Sequence, residues 1–249
     1  MTHTPFPKHQ FEILAQCETT HWWFCARKKL IIWILKKFTQ PFSNFQEVGC
    51  GTGFILQAIS KSFPAAQLKG SEYYPEGLVF ARNRLPMVHL VCEDARLIDE
   101  NGFWDVIGSF DVLEHIEEDE LVLMNLCKAL RVGGKLVVSV PQHPSLWSHQ
   151  DEGAGHVRRY TRNELVDKIQ CTGLDVKYVT SFVFFLAPLM WLSRMWNRKN
   201  TSSDPMREFN IPRGLNLALE AVMFVELGLI KVGLTFPYGG SLIVVAEKH

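Results

Sequence analysis

Three glycines at alternate positions, Gly49, Gly51 and Gly53, close the apolar run Phe45-Gln-Glu47-Val48. A helical apolar pattern follows at once in Phe54, Ile55, Leu56, Ala58 and Ile59. Strand, glycine turn, helix is the way an open α/β sheet presents backbone N–H groups to a ligand at its carboxyl edge. A phosphate loop would need Gly-Lys-Ser/Thr after the turn, and none is present. A dinucleotide turn would place a third Gly or Ala near position 54, where this chain has Phe54.

Strand and helix signals alternate from here. Strands are expected near 45–49, 67–72, 88–92, 104–109, 134–140, 174–180 and 241–246, and helices near 53–63, 75–85, 118–130 and 162–171. Gly133 is expected to end the third of these helices. Residues 8–40 read as helical. The alternation predicts an α/β fold, a doubly wound, mostly parallel, Rossmann-like sheet of seven strands. The rhythm breaks near 183, where two apolar helical segments (183–197 and 212–234) precede the last strand. One domain over 1–249 is expected, with a helical lid at 1–44, a core at 45–182 plus 241–249, and an apolar helical insertion at 183–240. Asn200–Asp204 is the best candidate for a flexible loop.

At 249 residues and 47% hydrophobic, the chain can bury a substantial core. A net charge of zero makes a nucleic-acid partner unexpected. The six cysteines include no CxxC pair; they read as mostly buried small hydrophobes of a reducing cytoplasm. No leader pattern is evident in Met1–Phe6, and no run is apolar enough to predict a membrane span.

The other strand ends carry polar groups suited to a nucleoside. Glu72 can accept both hydrogen bonds of a ribose diol, and Tyr73 or Tyr74 can pack on a base. Asp94 can accept from an exocyclic amine, with the Ala95 N–H meeting a ring nitrogen. Asp111-x-x-Glu114-His115 reads as a capping box or as a divalent-metal set; the capping box is preferred and no metal is assigned. Trp147–Tyr160 holds His149, Asp151, His156, Arg158 and Arg159 around a Gly-Ala-Gly stretch, just beyond the fifth strand.

The glycine turn, Glu72, the Asp94-Ala95 pair and Phe110-Asp-Val-Leu-Glu-His115 occur in order at βα spacing. Together they resemble the class I S-adenosylmethionine-dependent methyltransferases, in the broad group of quinone and small-molecule O-methyltransferases. The resemblance covers about residues 45–180. It implies the seven-stranded methyltransferase sheet and S-adenosylmethionine as cofactor. Glu47, Gly49, Gly51 and Gly53 would surround the methionine half, and Arg27 would meet its carboxylate. Glu72 would hold the ribose, Tyr73 the base region, and Asp94 and Ala95 the adenine. Ser109 and Phe110 would face the amino and sulfonium groups.

The function this implies is O-methylation of a lipophilic or glycosylated small molecule, with His156 and His149 as catalytic bases. A nicotinamide-dependent oxidoreductase and a non-catalytic membrane-associated binding protein are the competing readings. Around the insertion, a cap on the core, a homodimer through the apolar helices, a lipophilic tunnel and a peripheral membrane contact all stay open. Aromatic and basic residues trailing the first segment (Arg194, Trp196, Arg198, Lys199) suit a bilayer interface, while Glu220 and Glu226 argue against attraction to anionic lipid. The expected location is cytoplasmic, with the membrane surface open.

Overall fold

The computed structural model describes residues 10–197 and 211–249. The loop expected at Asn200–Asp204, the flank Arg198 and Lys199 and the side chain of Trp196 lie outside the described residues. The chain begins with two helices, α1 (Gln10–Cys17) and α2 (Trp22–Ile34), followed by one π-helical turn at Leu35–Thr39. They are separate because residues 18–20 form a turn and His21 caps α2 by accepting the Trp23 N–H.

The core then runs β1 (Asn44–Val48), α3 (Phe54–Ser62), β2 (Gln67–Glu72), α4 (Pro75–Arg84), β3 (His89–Cys92) and β4 (Trp104–Phe110). It continues with α5 (Asp119–Ala129), β5 (Leu130–Pro141), α6 (His149–Gly153), α7 (Arg162–Cys171) and β6 (Leu174–Phe182). Helices α8 (Ala187–Asn197) and α9 (Arg213–Lys231) precede β7 (Ser241–Lys248). The sheet has seven strands in the order β3-β2-β1-β4-β5-β7-β6. Pairing is parallel from β3 through β5, while β7 runs antiparallel to both β5 and β6.

Both faces are covered. Along β7, Ile243 and Val245 join the core beneath α2, α3 and α9, and Leu242, Val244 and Ala246 join the core beneath α5 and α7. A central strand buried on both faces needs apolar residues at every position, which is why Leu242–Ala246 shows no polar alternation. Pro188 falls in the first turn of α8, where a missing N–H costs nothing.

Two local expectations are corrected. Gly133 does not end a helix: α5 stops at Ala129, and Gly133 (φ 75°) lies inside a bulge where β5 shifts register against β4. Of the six cysteines, all free, only Cys50 and Cys127 are buried; Cys92 and Cys171 are exposed because they sit at a strand end and a helix end.

Candidate functional site

Strand order reverses between β1 and β4, so the turn after β1 and the loop after β4 flank one crevice at the carboxyl edge. A cavity of about 1050 Å³ opens there. The three glycines all take positive φ, but for different reasons. A Cβ on Gly49 would lie 2.3 Å from Val112 Cγ2, so packing against the β4 loop excludes a side chain. A Cβ on Gly51 would meet nothing within 4 Å. Gly49 and Gly51 line the cavity; Gly53 packs instead against Ala81 of α4.

Glu72, at the end of β2, is buried and lines the cavity. Its Oε2 accepts the Gly51 N–H (2.8 Å) and its Oε1 accepts the Tyr74 N–H (3.0 Å). The glycine turn therefore positions the acid as well as facing the crevice. A carboxylate has about four acceptor positions, so two stay available to a diol. Burial raises the Glu72 pKa, against the pull of those backbone N–H groups. Tyr73 and Tyr74 meet edge to face at 5.0 Å, and both line the cavity.

After β3, Asp94 takes a fork from the Arg96 side chain, Nη2 to Oδ2 at 2.7 Å and Nε to Oδ1 at 3.0 Å. That hydrogen bonding, foremost, holds its pKa below the usual range. Asp94 also caps the turn Ala95–Leu97 through the Arg96 N–H. An amine on this carboxylate would share it with Arg96. Asp94 and Ala95 line the cavity.

Arg27 of α2 reaches across to the β4 loop. Its Nη2 donates to the Phe110 carbonyl (2.7 Å) and pairs with Asp111 Oδ2 at 2.5 Å, while Trp23 lies against its guanidinium at 5.2 Å. Arg27 Nε and Glu47 Oε2 are both buried without a hydrogen-bond partner. Both residues line the cavity, so an uncommitted donor and an uncommitted acid face the same space, as an amino acid's carboxylate and ammonium require. Burial, partly offset by Arg27, lifts Glu47 to a pKa of about 8. Phe110 lines the cavity; Ser109 lies behind it, buried with its Oγ unpartnered.

The capping-box reading of Asp111 and Glu114 is corrected. Asp111 adopts φ 57° and faces Arg27, and the short turn Leu113–His115 has Val112 at its N-cap with no side-chain cap. Glu114 is fully buried with neither carboxylate oxygen hydrogen-bonded, and burial, with Asp111 adding to it, raises its pKa well above the usual value.

Beyond β5, His156 Nδ1 lies 2.9 Å from Asp151 Oδ1. Asp151 is buried; Arg159 Nε donates to it at 2.6 Å, and its Oδ2 accepts the Ser148 N–H at the start of α6. Its burial is outweighed by His156, Arg159 and Arg194, which bring its pKa to about 2. The ring of His115 lies edge to face with His156 at 4.8 Å. Ligand atoms of Glu114, His115 and His156 all lie within 4.8 Å of one another, close enough to share a cation. His149 takes a different place: its Nδ1 meets Glu152 at 2.8 Å on the exposed face of α6, and it is not among the residues lining the cavity. The sequence pattern does not single out Glu114, Asp151 or Arg159 as site residues. Glu114 was hidden because its spacing from Asp111 copies a capping box.

Residues 46–136 match a family described as a methyltransferase domain. The malonyl-[acyl-carrier protein] O-methyltransferase of Bacillus cereus is 28% identical over 99 residues, 39% of this chain and 37% of the relative. The trans-aconitate 2-methyltransferase of Deinococcus radiodurans is 29% identical over 112 residues, 45% of this chain and 43% of the relative. The phosphoethanolamine N-methyltransferase 2 of Haemonchus contortus, solved with S-adenosyl-L-methionine, superposes with a TM-score of 0.59 at 18% identity, covering 88% of this chain and 52% of that one. Over residues 46–136 the chain is similar to a methyltransferase domain, and its fold is that of solved methyltransferases. The match spans less than half the length of these curated relatives.

Proposed function

We propose that this chain methylates an oxygen of a lipophilic or glycosylated small molecule. The observation that carries the reading is the Asp151–His156 pair in the wall of a cavity of about 1050 Å³. Single-ligand pockets are typically about 300–1000 Å³, so cofactor and acceptor fit together. On the cofactor side, Arg27 Nε and Glu47 would hold the amino-acid end, and Glu72 the ribose. On the other, Trp22, Trp23, Leu186, Leu189, Met190 and Leu219 supply an apolar wall.

S-adenosylmethionine, when bound, supplies an already activated methyl group. The residues therefore need to orient the acceptor, exclude water and take a proton. Asp151, ionised across the physiological range, holds His156 with Nδ1–H toward it, which leaves Nε2 as the acceptor for the proton of the reacting hydroxyl. His156 would take the O–H proton as the methyl–sulfur bond gives way to the methyl–oxygen bond, the sulfur keeping the electron pair as a neutral thioether.

The same reading treats 1–249 as one catalytic domain, with 1–44 as a lid, 45–182 plus 241–249 as the core and 183–240 as the acceptor-side insertion. The free cysteines support a cytoplasmic location. Exposed apolar residues on α8 and α9 favour a peripheral membrane contact; a homodimer through the same helices is the competing reading. The test is transfer of a labelled methyl group from S-adenosylmethionine to a panel of lipophilic phenols, glycosides and carboxylic acids. Cofactor binding with no product from any acceptor would overturn the reading.

A further inference from the structure

Helix α9 is apolar on its outer face as well as its inner one, unlike a helix that faces water. Its inward face, Met223, Glu226, Leu227 and Ile230, is buried and includes an acid. Its outward residues between Gly214 and Gly228 are all apolar, with Phe224 73%, Leu217 58% and Val225 57% exposed. Exposed apolar residues are ordinary singly, but a continuous stripe along one helix marks a contact surface. On α8, Leu189, Trp191 and Leu192 are also exposed.

The two acids of α9 do not oppose an anionic partner, contrary to the expectation from sequence. Glu226 is fully buried, with its Oε2 accepting the Phe185 N–H (3.1 Å), and Glu220 is paired with Lys29 at 3.0 Å. At its C-terminal end the helix joins a shallow groove lined by Lys28, Lys29, Lys36, Lys61 and Lys231, with Trp33 and Phe54 between them. No carboxylate is among the described residues lining that groove. Lys231 belongs to both the groove and the helix, so the cationic site and the apolar stripe are continuous.

We infer that α9 and the five-lysine groove together form a docking surface for an anionic lipid bilayer. The stripe would enter the headgroup–acyl boundary, and the lysines would hold anionic headgroups. An apolar protein partner would satisfy the stripe alone, whereas the groove asks for negative charge, and an anionic bilayer offers both in one surface. Among the described residues no helix is long and apolar enough to cross a membrane, consistent with a surface contact. The cavity is lined by Leu186, Leu189 and Met190, on and just before α8, and by Leu219 of α9, so docking would set the acceptor side beside lipid. In this last respect the inference rests on the lipophilic-acceptor reading; the binding itself does not.

The test is co-sedimentation of the full chain with vesicles of phosphatidylcholine alone or with about a third phosphatidylglycerol. Cofactor binding is measured in parallel, so that loss of methyl transfer and loss of docking are told apart. Binding to the anionic vesicles only, weakened at about 0.5 M salt, is expected. The double variant Lys36→Gln/Lys61→Gln lowers that partitioning about twenty-five-fold, at about fivefold per lysine. Phe224→Ser/Val225→Ser lowers it without changing cofactor affinity. No association at low salt, or equal association with both vesicles, would overturn the inference. So would a dimer in sedimentation equilibrium that Phe224→Ser dissociates, which would assign the face to a second copy.

Discussion

Arg27 and Asp111 form an ion pair at 2.5 Å between the N-terminal helices and the loop after β4. The pair fastens the N-terminal helices to the sheet's ligand edge and leaves Arg27 Nε unspent. Replacing Arg27 by Ala strands Asp111 as a poorly solvated charge. The expected cost is about 3 kcal/mol of stability, with at least a tenfold loss of S-adenosylmethionine affinity. Calorimetry and chemical denaturation measure both. Unchanged affinity in a folded Arg27→Ala protein would remove Arg27 from the cofactor site.

Glu72 ties the glycine turn to the end of β2 through the Gly51 and Tyr74 N–H groups. Glu72→Gln cannot accept on both side-chain atoms, so one N–H loses its partner. We expect a melting-temperature drop of roughly 3–6 °C and a cofactor affinity at least tenfold weaker. The same loss of stability with normal affinity would give Glu72 a structural role alone.

His156 and His149 are separated by their partners. His156→Ala should lower turnover about 10²–10⁴-fold with cofactor affinity intact, and Asp151→Asn should lower it in the same direction. His149→Ala, on the outer face of α6, should leave turnover unchanged. Steady-state rates with the identified acceptor decide this, and a fully active His156→Ala enzyme sinks the base assignment.

Burial lifts Glu47 from the usual 4.5 to about 8. Between those values the folded chain carries a proton that the unfolded chain has released, so Glu47 makes stability fall as pH rises through that window. Glu47→Gln removes this dependence. Its melting temperature should gain on the wild type by roughly 5 °C between pH 5 and pH 8. Parallel pH profiles for the two proteins would contradict the assignment.

The ligand atoms of Glu114, His115 and His156 are close enough to share a cation. If His156 serves as a base, turnover is unaffected by EDTA. Activity lost to EDTA and restored by a divalent ion would transfer the role to a metal.

Much of the fold was legible because each βα unit announces itself within a few residues. The glycine turn, Glu72, the Asp94-Ala95 pair and the apolar β7 are local patterns, and the structure places them at strand ends or within the sheet as their spacing implies. The site was legible less evenly. Asp111 and Glu114 carry a spacing suited to a cap, yet the positive φ at Asp111 turns the acid to Arg27, on a helix far away in sequence.

By itself, the sequence determined the strand count, the helical insertion and which edge of the sheet carries polar groups. These follow from periodicity and turn chemistry inside single elements. Only the tertiary structure decided which histidine meets Asp151, which N–H groups occupy Glu72, and that α9 turns its acids inward or into a pair and its apolar stripe outward. Those outcomes depend on contacts between distant segments, and a helical pattern gives the faces of a helix without saying which of them meets the core.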